Sequence, residues 1–141
     1  MSNKRYAQLL LGPLPVELIN ATLGVDLEPG DAILTARAHR HIAKDHAEDY
    51  ATVMTYIQVL ISSPTYIGQS PHHGEAFEMV RRVIVPNREE IILAAINLTR
   101  NDHGNYNVHS AYRLKEHQVT RRIQLGHLYN PKKKGPWLGG L

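Results

Sequence analysis

The side chains in this sequence best suited to chemistry are its histidines. There are nine in 141 residues, more than ordinary globular usage, and imidazole is the side chain that both gives and takes a proton near neutral pH. Three of them cluster with two cations in Arg37-x-His39-x-His41-x-x-Lys44-x-His46. On a helix, His39 and His46 share a face, His41 and Lys44 are neighbours three apart, and His41 lies roughly 140° around from His46. A zinc-binding helix would place two histidines at i and i+4, and no such pair occurs here. On a strand, His-x-His could ligate a metal, so a metal-dependent hydrolase using His39, His41 and His46 stays open. The plainer reading of each histidine is a solvated helix surface.

Two further groups could join such a site. In Val108-His109-Ser110-Ala111-Tyr112, strict alternation puts Val108, Ser110, Tyr112 and Leu114 on one strand face and His109, Ala111 and Arg113 on the other. Ser110 and Tyr112, two apart, could offer two hydroxyls to one phosphate. The same alternation is also what a half-buried strand shows for packing alone. His72-His73 in a loop and Arg81-Arg82 on the next strand form the third group, in which only one of the two arginines can face a common site.

Composition removes several alternatives. With no cysteine there is no disulfide scaffold, thiolate zinc site or cysteine nucleophile. There is no P-loop, dinucleotide fingerprint or Gly-x-Ser-x-Gly elbow. The acidic pairs Glu48-Asp49 and Glu89-Glu90 sit at element starts, which disfavours a two-metal carboxylate nuclease. No apolar run approaches the ~18 residues of a membrane span, and Gly12, Pro13 and Pro15 interrupt Leu9-Leu10-Leu11 short of an export signal. Sixteen basic against thirteen acidic residues leave +3, a mild balance that tolerates a polyanionic partner.

The elements that must position these groups read as helices first and strands after. Pro15 to Leu23 is a short helix stopped by Gly24, Ala32 to Thr35 a brief strand, and 36–46 a helix carrying the histidine cluster. Tyr50, Val53, Met54, Ile57, Leu60 and Ile61 recur on one helical face. Strands follow at 77–85, 91–99 and 106–114, the middle one apolar enough to be buried on both faces, and a closing helix runs over 115–125. The expectation is one α+β domain: a loose leader (1–13), a core (14–128) and an irregular basic tail (129–141). In it, N-terminal helices pack on one face of a four- to five-stranded antiparallel sheet. Lys132-Lys133-Lys134 reads as solvated tail.

The order GPLPVELINATLGVDL, DAILTARAHRHIAKDH, an amphipathic helix, SPTYIG and finally NVHSAYRL resembles the barnase–EndoU–colicin–RelE (BECR) superfamily, most closely its phage-associated branch. The likeness spans roughly residues 12–128 and rests on His41-x-x-x-x-His46, Pro64-x-x-Ile67-Gly68 and Ser110-x-Tyr112. It implies a small cytoplasmic ribonuclease of toxin type, needing no metal or cofactor and acting on RNA, tRNA among the targets, with an antitoxin or immunity protein as partner and no membrane. By the matching positions, His41, His46, Ser110 and Tyr112 are the catalytic set, His41 as base and His46 as acid or the reverse. Arg37, Lys44, Arg81 and His109 are the substrate-binding set. Because His41 and His46 are not on one helical face, the resemblance requires a bend or end near Lys44. A non-catalytic nucleic-acid- or protein-binding module of the same fold is the competing expectation.

Overall fold

A computed structural model describes residues 6–69 and 75–131. In chain order the elements are β1 (Leu9–Pro13), α1 (Val16–Leu23), β2 (Asp31–Leu34), α2 (Ala36–Asp45), α3 (Tyr50–Ser62), β3 (Tyr66–Gln69), β4 (Ala76–Val85), β5 (Arg88–Asn97), β6 (Tyr106–Leu114), α4 (Glu116–Gln124) and β7 (Leu128–Tyr129). The strands form one seven-stranded sheet in the order β1-β2-β6-β5-β4-β3-β7. The α+β class holds, but the sheet is larger than expected and mixed: β2 runs parallel to β6 while the other neighbours are antiparallel.

The extra strands lie where loops were expected. Leu9–Pro13, assigned to a loose leader, is the edge strand β1, paired with β2 through a register shift between Leu10 and Gly12. Leu128–Tyr129, at the junction with the expected tail, pairs with β3. That pairing is close enough that a Cβ on Gly68 would collide with the His127 carbonyl. The tail from residue 132 onward, including Lys132–Lys134, lies outside the described residues, as do His72 and His73.

Local chemistry accounts for the helices. α1 ends at Gly24, whose φ of 71° is the left-handed conformation that closes a helix. The Thr35 side chain accepts from the Ala38 N–H at 3.1 Å and starts α2. In α3, Val53, Ile57, Leu60 and Ile61 are buried at helical spacing. At the start of α4 the Gln118 side-chain carbonyl accepts from the Lys115 N–H at 2.8 Å.

These helices divide over the two faces of the sheet. α1, α2 and α3 close one face over a core that includes Ile19, Ile42, Ile57, Phe77, Met79, Ile92, Ile96, Tyr106 and Val108. A smaller cluster on the other face packs Val119 of α4 and Leu128 against Val80, Ile91, Leu93 and Leu114. β5 is thus buried from both sides, as its near-continuous apolar run predicts. Two ion-pair groups fasten the layers. Arg113 of β6 reaches Asp49 at the start of α3 at 2.8 Å. Arg82 of β4 reaches Glu116 at the start of α4 at 2.7 Å and donates to the Tyr66 hydroxyl. The Arg82 hydrogen bond holds the Glu116 carboxyl below its ordinary range. Because α4 covers only one end of its face, the remainder of that face stays open.

Candidate active site

The site is built on the open face, where three central strands place matching rows of side chains. Glu78 of β4, Ala95 of β5 and Ser110 of β6 are aligned partners, and Val80, Leu93 and Tyr112 form the next row. Ala76 and Asn97 extend the set toward the strand ends. Two alanines among larger neighbours leave space above the sheet. The result is a cavity of about 620 Å³ lined by His41, Glu75, Ala76, Glu78, Ala95, Asn97, His109, Ser110 and Tyr112.

A β-bulge decides which β6 side chains reach it. Ala95 pairs with Ser110 and Ile96 with Val108, so His109 is an extra residue with no partner across the strand pair. Strict alternation put Val108 with Ser110 and Tyr112, and the bulge corrects this. Val108 and Ala111 both enter the helix-side core, whereas Tyr112 and Leu114 belong to the opposite face. His109 itself is exposed and lines the cavity.

The histidine cluster separates into three roles. His39 is buried in α2: its Nδ1–H donates to the Ala7 carbonyl at 2.9 Å, and Nε2 meets the Tyr50 hydroxyl at 2.7 Å. Its ring stacks on Tyr50 with an edge contact from Tyr6. With both ring nitrogens engaged, His39 cannot ligate a metal with His41 and His46 as that arrangement stands. Among the described residues no group of three or more His, Asp or Glu could hold a metal ion.

His41 points to the cavity, and its Nδ1 is 2.7 Å from Asp45 Oδ2 one turn on. His46 is the residue that ends α2, with φ −126° and ψ 44°. This end supplies the break required near Lys44, and it brings the His41 and His46 rings to 5.5 Å between centroids, edge to face. His46 also stacks on Tyr112 at 5.1 Å, so it stands behind the cavity wall that Tyr112 forms.

The expected site residues therefore sort unevenly. His41, His109, Ser110 and Tyr112 share the cavity, with His46 behind them. Arg37 lines an adjoining lobe of about 430 Å³. Lys44 is exposed on α2 and lines neither. Arg81 is the clear departure: it donates to the Ser63 backbone oxygen at 2.8 Å and pairs opposite Ile92, a residue of the helix-side core. Its neighbour Arg82 faces the α4 side, but Glu89 and Glu116 occupy it.

Glu75, Glu78 and Asn97 line the cavity without having been anticipated, and Arg122 joins the site through Glu78. Glu78 is only 3% exposed and meets Arg122 Nε of α4 at 3.4 Å. A carboxylate inside the apolar strand Ala76–Val85 was itself the available signal, since acidic side chains are rarely fully buried unless paired.

Burial raises the Tyr112 hydroxyl above the ordinary phenol value, the Glu78 charge pushes it further, and Arg122 opposes both. The difference in alkaline absorbance titration between the protein and Tyr112→Phe should therefore place this ionisation above pH 10. Glu78→Gln should lower it part of the way, since burial remains. The raised value implies a stability contribution complete below pH 10 and lost as pH rises through the shifted value. Ionisation at the ordinary phenol value would contradict the geometry.

Against this structure, a family model described as phage-Barnase-EndoU-ColicinE5/D-RelE like nuclease 3 matches residues 11–121. The chain belongs to this family. No curated protein and no solved structure shows a significant match. For this phage-type BECR nuclease, the matched span runs from β1 into α4 and contains every residue that lines the cavity. No helix among the described residues is long and apolar enough to cross a membrane.

Proposed function

We infer that this BECR nuclease is a metal-independent endoribonuclease that cleaves by attack of a ribose 2′-hydroxyl on the adjacent phosphorus. The observation that carries the reading is one cavity lined by two histidines, two hydroxyls, an amide and the carboxylates of Glu75 and Glu78, the buried Glu78 being paired with the half-buried Arg122 of α4. The reaction needs what such a set offers: a base, an acid and hydrogen-bond donors around the phosphorane.

The proton balance requires one base and one acid. His41, its Nδ1–H held by Asp45, presents Nε2 to take the 2′-hydroxyl proton. The O2′–P bond forms as the P–O5′ bond breaks, and an acid protonates the departing O5′. The products are a 2′,3′-cyclic phosphate and a 5′-hydroxyl. His109 is the preferred acid because it lines the cavity. His46, matched to that role by resemblance, instead fixes Tyr112 and the edge of His41. Ser110 and Tyr112 donate to the phosphoryl oxygens; a phenol is protonated near neutral pH, and burial pushes the Tyr112 ionisation further upward. Arg37 adds cationic attraction from the adjoining lobe, and Lys44 and Arg81 take no part at the reacting atoms.

Toxin-type action in a cytoplasm, on RNA including tRNA and under an antitoxin or immunity protein, fits a small nuclease of a phage-type family. Incubating the purified protein with total RNA and tRNA in EDTA tests the reading. Cleavage should persist with EDTA and be lost in His41→Ala and His109→Ala. Cleavage abolished by EDTA would move the chemistry to a metal. Absence of any cleavage by a well-folded protein would make the chain a binding module of nuclease fold.

A further inference from the structure

The adjoining lobe has a chemical character of its own. It is lined by Thr35, Arg37, Ala38, His41, Asn97, Asn107, Val108 and His109, so His41, Asn97 and His109 belong to both lobes. Whatever occupies the second lobe is therefore a direct neighbour of the group reacting in the first.

Its decisive side chain is Asn107, whose amide orientation is set by a chain of hydrogen bonds. In the turn after β5, Asn101 Oδ1 accepts from the backbone N–H groups of His103 and Asn105, at 2.8 and 3.1 Å. That identifies the other branch of the Asn101 amide as its nitrogen, and Asn101 Nδ2 donates to Asn107 Oδ1 at 2.9 Å. Backbone bonds from Asn101 N to Asn105 O and from Gly104 N to Asn101 O hold the turn closed. Asn107 therefore turns its oxygen toward the turn and keeps its –NH2 for the lobe. The Thr35 oxygen is likewise engaged by the Ala38 N–H, leaving its hydroxyl hydrogen to donate.

We propose that this lobe reads a nucleobase flanking the cleaved phosphate and selects a keto base, through donation from the Asn107 amide to the base carbonyl. The proposal rests on the ribonuclease reading for the identity of the substrate. Its selectivity follows from Asn107: uracil and guanine present a carbonyl oxygen where cytosine and adenine present an amino group, and two donors cannot pair. RNA specificity is commonly gained in this way, from unstacked bases whose edges meet side-chain amides.

Two measurements test it. Oligoribonucleotides differing only at the nucleotides on either side of the cleaved bond should show kcat/KM higher for keto than for amino bases on one side, by about tenfold or more. Asn107→Asp, whose free oxygen accepts, should reverse that preference, and Asn107→Ala should level it. Equal rates for all four bases on both sides, or an unchanged preference in both variants, would overturn the proposal.

The second measurement does not depend on cleavage. The wild-type protein is titrated with 3′-UMP against 3′-CMP and with 5′-UMP against 5′-CMP, pairs that differ at the base in a carbonyl against an amino group and together cover both sides of the phosphate. Tighter binding of UMP in one pair with a shift of the Asn107 side-chain amide resonances supports the keto-selective lobe. Equal affinity within both pairs, or shifts that leave Asn107 unmoved, overturns it. Selective nucleotide binding by a protein that cuts no RNA would sink the ribonuclease reading while leaving the lobe assignment intact.

Discussion

Replacing His41 by alanine should lower kcat/KM on RNA by about 10²- to 10⁴-fold, the usual contribution of a positioned general base. The folded state should hardly change. His41 is 44% exposed and its partner Asp45 63% exposed, and ion pairs of that kind contribute at most about 1 kcal/mol. The loss would therefore appear in kcat with an unaltered melting temperature. Asp45→Asn should cost less, because it weakens the orientation of the His41 ring without removing it. A His41→Ala enzyme that keeps more than a tenth of its activity would take the general base away from this residue.

His39→Ala should do the reverse, although it lies two residues away in the same helix. Its ring is 7% exposed, stacks on Tyr50, and joins the Ala7 backbone to the Tyr50 hydroxyl. Truncation opens a cavity and leaves a carbonyl and a hydroxyl without their partner, which together cost about 2–4 kcal/mol. For a chain of this size the melting temperature should fall by roughly 5–15 °C. Calorimetry checks this, and activity measured well below the lowered melting point should stay within a few-fold of wild type. Retained stability would show that the His39 contacts contribute little, and a rate loss as large as that of His41→Ala would place His39 in the chemistry.

The contrast explains how much of the site was legible. The sequence places the three histidines of the cluster near one another, but helical spacing alone does not say which ring is buried. That follows from Tyr50 at the start of α3 and from the backbone at Ala7, contacts 11 and 32 residues distant. Ser110 and Tyr112 were legible because residues two apart on a strand share a face. Val108 was misplaced because a single bulge at His109 reverses the parity of everything before it.

The arginines show the same dependence on register. Alternation requires Arg81 and Arg82 to face opposite ways, but only the pairing with β5 and the position of Glu116 show which face is which and that Arg82 is already engaged. In the fold, α3 and β5 announce themselves by strong periodicity or continuous apolarity. β1 does not, because Gly12 and Pro13 break its pattern. The parallel pairing of β2 with β6 joins Ala32 to Tyr106 across most of the chain, and no local signal encodes it.

A 2′-hydroxyl attack leaves its mark on the ends of the RNA fragments. RNA cleaved in EDTA should be analysed by mass spectrometry for its new termini. One fragment should carry a 2′,3′-cyclic phosphate and the other a 5′-hydroxyl, with neither formed by the His41→Ala protein. Fragments ending in a 5′-phosphate and a 3′-hydroxyl would mean that water or a metal-bound hydroxide attacked, and would contradict attack by the 2′-hydroxyl.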